Sequence, residues 1–82
     1  MLNTLKELCR LRGVSGDEDE VRRYIEEKAA PCADGVRTDA LGNLIVFKKG
    51  KKPAGNRLML AAHMDEVGII ITRITDEGFL KF

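Results

Sequence analysis

The chain has 82 residues, a formal net charge of +1, 44% hydrophobic and 33% charged residues, and no tryptophan. This length suits one small domain or a piece of a larger one. The near-zero net charge gives no reason to expect a nucleic acid or an acidic membrane surface as partner, and no apolar run is long enough to predict a membrane span. No secretory leader is visible either, so a cytoplasmic protein is expected.

The first predicted element is a helix. Leu2, Leu5, Leu8 and Leu11 recur every three residues, and Gly13 follows as a typical residue beyond a helix end. Within that helix we expect Cys9 to be packed as a small hydrophobic residue. Cys9 and Cys32 lie too far apart in sequence to form a metal-binding pair, and both are predicted to be reduced and buried.

A second helix is predicted from the spacing of Ser15 and Glu18, which is that of a capping box. Acidic residues follow directly, where the helix dipole favours negative charge. Pro31 and Gly35 are expected to close the helix. Its buried stripe is predicted to consist of Val21, Tyr24, Ile25, the methylenes of Lys28, and Ala29.

The pattern then changes to short strands. We predict strands at 35–38 and 44–47 around a turn at 39–43, followed by a polar loop at 48–56 that contains Pro53. A further strand is predicted at 57–62, and its core at 58–62 is apolar throughout, which is typical of a central strand covered on both faces. Residues 69–74 and 79–82 are expected to pair around a turn at 76–78. The second of these would leave an open pairing edge, so we expect the chain to be a piece of a longer enzyme.

His63 and Asp65 are the candidate site residues. Residues two apart in a strand point to the same side, so both side chains should project together from the end of the 57–62 strand. Imidazole is a ligand for zinc or cobalt, and a carboxylate can accept its other N–H. The spacing alone also fits a hydrogen-bonded structural histidine. Glu66 remains open as base, ligand or surface acid, and Gly68 permits a backbone conformation closed to other residues.

Three ordered motifs raise the weight of the metal hypothesis. They read GVSGDE at 13–18, TDALGNLI at 38–45 and AHMDEVG at 62–68. Together they resemble the N-terminus of the metal-dependent aminopeptidases known as tetrahedral, deblocking or glutamyl aminopeptidases. Some members of that family carry the label endoglucanase or cellulase. The resemblance covers nearly the whole chain.

The resemblance implies an α/β fold that is truncated here. Residues 1–67 would be the N-terminal part of a zinc-peptidase-type catalytic domain with two helices, and 68–82 the first strands of an inserted β-barrel dimerisation domain. His63 would be a metal ligand, and Asp65 a catalytic residue that supports it. The full enzyme would use two divalent ions, zinc or cobalt, that activate water and polarise the scissile carbonyl. Peptides would be its substrates and a dimer-based large homo-oligomer its assembly.

The resemblance also limits what this chain can do. The family's general base and remaining ligands lie downstream of the matched motifs, so Glu66 is not expected to be that base and the chain alone is expected to be inactive. Two alternatives stay open. A glycoside hydrolase would need two carboxyl groups set across a sugar bond, which the adjacent Asp65 and Glu66 do not offer. A non-catalytic module could instead self-associate through the strands at 69–82.

Overall fold

The computed structural model describes residues 1–52 and 55–82. Pro53 and Ala54, which belong to the predicted loop at 48–56, lie outside the described residues. The two predicted helices are present together with short strands, and the predicted α/β character is confirmed. In chain order the elements are helix α1 (Leu2–Leu8), helix α2 (Asp19–Ala29), a 3-10 turn (Ala30–Cys32), and strands β1 (Gly35–Thr38), β2 (Leu44–Phe47), β3 (Arg73–Ile74) and β4 (Leu80–Lys81). No helix in the described part of the chain is long and apolar enough to cross a membrane.

Helix α1 is shorter than its leucine pattern predicts. It ends at Leu8, after which Leu11 donates a backbone hydrogen bond to the Leu8 carbonyl over 3.2 Å. Bonds of this three-residue span belong to a 3-10 turn, which tightens the chain and ends the α-helix. No residue of α1 is buried. Leu8 is only partly buried, Cys9 is exposed, and Cys32 is exposed as well; the prediction that both thiols are buried is wrong.

Helix α2 begins without the predicted capping box. Glu18 occupies the N-cap position and makes no side-chain capping bond; its carboxylate instead accepts from the Gly16 amide over 2.7 Å. Ser15 is engaged by a residue far along the chain. Of the predicted stripe only Val21 is fully buried, at 6% exposure, and Lys28 is exposed with its Nζ 5.4 Å from the centre of the Tyr24 ring.

The β1–β2 hairpin has the predicted bounds. The strands pair antiparallel, with Val36 opposite Val46. Asp39 organises the turn, because its Oδ1 accepts from the amides of Leu41 (3.0 Å) and Asn43 (2.9 Å). Gly42 has φ +87°, a left-handed conformation that glycine adopts without steric cost. Turn chemistry within five residues therefore specifies this hairpin.

The predicted central strand at 57–62 is wrong. These residues form no regular strand and are exposed; Leu58, for example, is 89% exposed. A strand needs neighbours for its backbone groups, and β1 and β2 pair only with each other among the described residues. The apolar run predicted burial, but the segment is exposed and nothing in the described part of the chain pairs with it.

The last hairpin is present but short. β3 pairs antiparallel with β4, with Ile74 opposite Leu80, around a turn in which Gly78 has φ +86°. The predicted strand at 69–74 is therefore reduced to its final two residues, Arg73 and Ile74. The turn at 76–78 is confirmed. Whether this hairpin opens a β-barrel remains a prediction.

Candidate functional site

A short parallel bridge brings the histidine segment against the loop between the two helices. Val14 and Glu66 are the paired residues. The Glu66 amide donates to the Gly13 carbonyl over 2.7 Å, and the Ser15 amide donates to the Glu66 carbonyl over 3.2 Å. These backbone bonds fix residues 64–66 relative to the start of α2. Two of the three motifs in the sequence, at 13–18 and 62–68, are thereby joined in space.

Two glycines allow the segments to approach this closely. A Cβ at Gly68 would lie 2.4 Å from Cγ1 of Val14, and one at Gly13 would lie 2.7 Å from Cγ2 of Val21. Gly68 does not have a positive φ. The expectation that it serves an unusual backbone conformation is therefore wrong: the close contact with Val14 is what requires a residue without a side chain.

His63 and Asp65 come together as predicted, with both side chains on one side of the chain. Nδ1 of His63 lies 3.3 Å from Oδ1 of Asp65 and 3.0 Å from the Asp65 backbone carbonyl oxygen. Both oxygens are acceptors, so Nδ1 carries the proton, and it donates its hydrogen bond to the carbonyl. The neutral ring then has its lone pair on Nε2. Since the His63 side chain is 85% exposed, that lone pair is available to a ligand.

Ser15 is the residue that sequence reasoning missed. Its hydroxyl donates a hydrogen bond to Oδ2 of Asp65. This bond, followed by the smaller effects of the Asp65 backbone amide and the neighbouring His63 ring, lowers the pKa of the Asp65 carboxyl below its ordinary value and keeps it ionised. The local spacing to Glu18 had suggested a helix cap instead. The only signal in the sequence that could have indicated the contact is the position of Ser15 within the first of the three motifs.

Space is open on both sides of the histidine segment. One cleft, of about 220 Å³, has an apolar wall formed by side chains from α1, α2 and the connection between them, and the other, of about 170 Å³, borders the β1–β2 turn. His63, Met64 and Asp65 line both clefts. The histidine segment therefore lines two open clefts.

The donor chemistry of His63 fits a metal ion. A ligating imidazole typically donates its second N–H to a carboxylate or carbonyl, which sets the tautomer and the ring direction. Both kinds of acceptor are present here at Nδ1. Within residues 1–52 and 55–82, no three His, Cys, Asp or Glu side chains lie close enough to hold an ion. His63 can thus supply one ligand, with Asp65 behind it.

Comparison with known proteins gives a consistent family. The sequence profile described as M42 glutamyl aminopeptidase matches residues 42–82, which is half of the chain. A protein of Acetivibrio thermocellus named "Putative aminopeptidase" is 49% identical over 82 residues, covering 100% of this chain and 24% of the relative. No solved structure matches the chain significantly.

Two relatives carry specific activities in their names. The lysyl aminopeptidase of Pyrococcus furiosus is 36% identical over 78 residues, covering 94% of this chain and 22% of the relative. The glutamyl aminopeptidase of Lactococcus lactis subsp. cremoris is 33% identical over 81 residues, covering 99% of this chain and 23% of the relative. The chain spans about a quarter of the length of these relatives. The predicted resemblance is confirmed: this chain belongs to the M42 glutamyl aminopeptidase family.

Proposed function

We propose that this chain is the N-terminal part of a dinuclear-metal aminopeptidase that removes N-terminal residues from peptides. The observation that carries the proposal is the arrangement at His63, where Nδ1 faces the carbonyl and carboxylate of Asp65 and leaves Nε2 free. This is the geometry of a metal-ligating histidine with its supporting acceptor. Relatives named as aminopeptidases, matched along nearly the whole chain, supply the reaction class.

In this proposal the chain's own residues hold a ligand in place. The backbone carbonyl of Asp65 accepts a hydrogen bond from Nδ1–H of His63, its carboxylate lies beside Nδ1, and Nε2 is directed outward. Paired divalent ions, zinc or cobalt, would activate a water and polarise the scissile carbonyl when bound. Glu66 is not assigned as the base. The Glu66 backbone forms the bridge with Val14. Among the described residues, its side chain makes no hydrogen bond or ion pair with His63.

The proposal extends to the wider enzyme. Residues 1–67 would belong to the catalytic α/β domain and 68–82 would begin an inserted β-barrel through which dimers of a large homo-oligomer form. The exposed apolar side chains of the β3–β4 hairpin support a buried position in the assembly; Phe79 is 70% exposed and Phe82 is 78% exposed. The free cysteines Cys9 and Cys32 support a reducing, cytoplasmic location.

A glycoside hydrolase is not favoured by the geometry. Oδ1 of Asp65 faces His63 and its Oδ2 accepts from Ser15, so both oxygens are already engaged. Asp65 and Glu66 are neighbours in sequence, and a sugar bond has to lie between two separated carboxyl groups. Glu18 lines one cleft together with Asp65, but its carboxylate accepts from the Gly16 amide over 2.7 Å and lies 3.9 Å from Arg22 Nη2, so it is engaged as well.

The experiment compares the 82-residue chain with a chimera. In the chimera this chain replaces the matched region of the Acetivibrio thermocellus relative, to which it is 49% identical. Both proteins are assayed with zinc or cobalt on chromogenic acidic, basic and neutral aminoacyl substrates and on a soluble glucan.

We expect the chimera to hydrolyse aminoacyl substrates as the intact relative does, and the isolated chain to be inactive. Robust turnover by the isolated chain would overturn the claim that essential groups lie elsewhere. Glucan hydrolysis without peptidase activity would favour the glycosidase. An inactive chimera beside an active intact relative would remove support for the aminopeptidase assignment of this chain.

A further inference from the structure

We propose that Ser15 is a positioning residue that, through Asp65, adds a second acceptor beside Nδ1 of His63 and so favours the Nδ1–H tautomer. The inference rests on the proposed function only where His63 is treated as a metal ligand. Its structural basis is a continuous set of contacts. Ser15 Oγ donates to Oδ2 of Asp65, while Oδ1 of the same carboxylate lies 3.3 Å from Nδ1 of His63.

The carboxylate needs this second partner because it is not held by burial. The Asp65 side chain is 40% exposed and that of His63 is 85% exposed. A carboxylate with one free oxygen can rotate into water and leave the imidazole to its backbone contact alone. With Oδ2 bound to Ser15, only Oδ1 can face the ring. Ser15 thus fixes the carboxylate oxygen that lies beside Nδ1, in addition to the backbone carbonyl that accepts the Nδ1–H bond over 3.0 Å.

The backbone around Ser15 is itself held against the Asp65 segment. The Ser15 amide donates to the Glu66 carbonyl over 3.2 Å, directly after Asp65 in the chain. Val14 packs against Gly68 closely enough that a Cβ there would lie 2.4 Å away. The serine and the aspartate therefore move together, although they are 50 positions apart in sequence.

A local capping role does not explain Ser15. Helix α2 begins at Asp19 with Glu18 as the N-cap and has no side-chain capping bond. The Gly16 amide, at the start of this segment, donates its hydrogen bond to Glu18 Oε1 over 2.7 Å and not to Ser15. The Ser15 side chain is committed to Asp65, so the structure assigns it to the site and not to the helix.

The test measures the tautomer of His63 directly. This is the only histidine in the chain, so its ring nitrogen signals in long-range nitrogen–proton NMR spectra need no assignment. Spectra are recorded on the 82-residue chain at about pH 8.5, where an unperturbed imidazole is neutral. The test variants are Ser15→Ala and Ser15→Thr. The control is Thr72→Val, which removes a hydroxyl elsewhere together with its hydrogen bond to the Lys81 carbonyl.

We expect the unmodified chain to populate mainly the Nδ1–H form and Ser15→Ala to shift the ring toward the Nε2–H form. Ser15→Thr, which keeps a hydroxyl, should restore the original signals, and Thr72→Val should not move them. An unchanged tautomer in Ser15→Ala, or no rescue by threonine, would overturn the inference. Amide signals of the β1–β2 hairpin report whether each variant keeps its fold.

A double substitution keeps the proposal testable if Ser15→Ala alone loosens the loop. In an Asp65→Asn background, Ser15→Ala should cause no further change in the His63 signals, because Ser15 acts only through the carboxylate. A further shift of similar size in that background would contradict the inference.

The serine variants are also made in the chimera with the Acetivibrio thermocellus relative and titrated with zinc, because the 82-residue chain supplies only one ligand. Metal affinity at His63 should fall up to about tenfold in Ser15→Ala, at the low end of the range for residues supporting a ligand. If the tautomer responds as expected in the 82-residue chain but His63→Ala leaves the zinc affinity of the chimera unchanged, the proposed function fails while the role of Ser15 stands.

Discussion

At the scale of single residues, some contacts of the site can be predicted from the sequence and others cannot. The His63–Asp65 pairing joins residues two positions apart, and the structure brings Nδ1 and Oδ1 to 3.3 Å although the strand from which the pairing was predicted is absent. The role of Ser15 could not be predicted, because its partner is 50 positions away and a local capping partner was equally well placed. A spacing rule identifies neighbours along the chain; it cannot identify a contact created by tertiary packing.

Gly68 provides a residue-scale prediction. In Gly68→Ala the new methyl group would meet Cγ1 of Val14 at 2.4 Å, so the bridge between residues 13–15 and 66 must shift. We expect a loss of about 1–3 kcal/mol in the free energy of unfolding, the usual cost of overpacking. Urea denaturation of the 82-residue chain measures it.

The control for this prediction is Gly35→Ala, because a Cβ at Gly35 would be no closer than 3.9 Å to Phe47. A Val14→Ala change combined with Gly68→Ala should recover part of the loss by removing the two methyl groups that crowd the site. Equal stabilities for Gly68→Ala and Gly35→Ala would show that the contact with Val14 is not what restricts residue 68.

At the scale of elements, local chemistry decides which predictions succeed. The β1–β2 hairpin forms as predicted because Asp39 and Gly42 specify its turn within a few residues. The predicted strand at 57–62 fails because a strand depends on partners, and an apolar run carries no information about which partner is present. The predicted end of α1 is wrong for a related reason. Backbone hydrogen bonds of the 3-10 type after Leu8 end the α-helix early and lead the chain to the bridge at Gly13.

The Asp39 turn predicts a pH dependence. Hydrogen bonds from the side chain and amide of Asn43, together with the Leu41 amide, lower the pKa of the Asp39 carboxyl. A lowered folded pKa means that the ionised carboxylate stabilises the hairpin fully above the ordinary value of about 3.9, and that this stabilisation is lost as the pH falls through the folded value.

NMR shifts of Val36 and Val46, which face each other in the hairpin, follow this transition during acid titration. In Asp39→Asn, which has no titrating group at this position, the hairpin should lose stability at neutral pH and show a weaker acid dependence. An unaltered acid profile in Asp39→Asn would show that other carboxylates govern the hairpin.

Arg22 connects helix α2 to the same hairpin. Its Nε donates to the Gly42 carbonyl over 2.7 Å, and its side chain is only 17% exposed. Arg22→Met keeps much of the side-chain length but removes this bond, so we expect a loss of about 1–2 kcal/mol in unfolding free energy. The matched control is Arg23→Met on the exposed side of the helix. Similar losses in the two variants would contradict the tie between α2 and the hairpin.

At the scale of the whole molecule, the dominant feature is uncovered apolar surface. Val21 is the only hydrophobic residue that is buried in the described part of the chain, and the molecule extends over 65 × 29 × 17 Å. The apolar side chains at 57–62 and in the last hairpin are exposed. Their pattern predicted burial from the sequence, and the chain spans about a quarter of the length of its relatives.

This surface predicts self-association of the isolated chain. Ile70 is 81% exposed and Phe79 is 70% exposed, so the 69–82 segment can cover its apolar side against another copy. Sedimentation velocity at increasing concentration should show species larger than a monomer. The double substitution Ile70→Lys and Phe79→Lys should shift the distribution to monomer, whereas Leu41→Lys in the β1–β2 turn should not. A clean monomer at high concentration would contradict this use of the hairpin.

The central claim is that His63 is a metal ligand held by Asp65. Its most direct test is the metal content of the chimera with the Acetivibrio thermocellus relative, measured by mass spectrometry after zinc loading and desalting. The account predicts two ions in the parent chimera, the loss of one of them in His63→Ala, and both retained in Glu66→Ala, the neighbouring acid with no assigned role. The same zinc content in His63→Ala and in the parent chimera would contradict it.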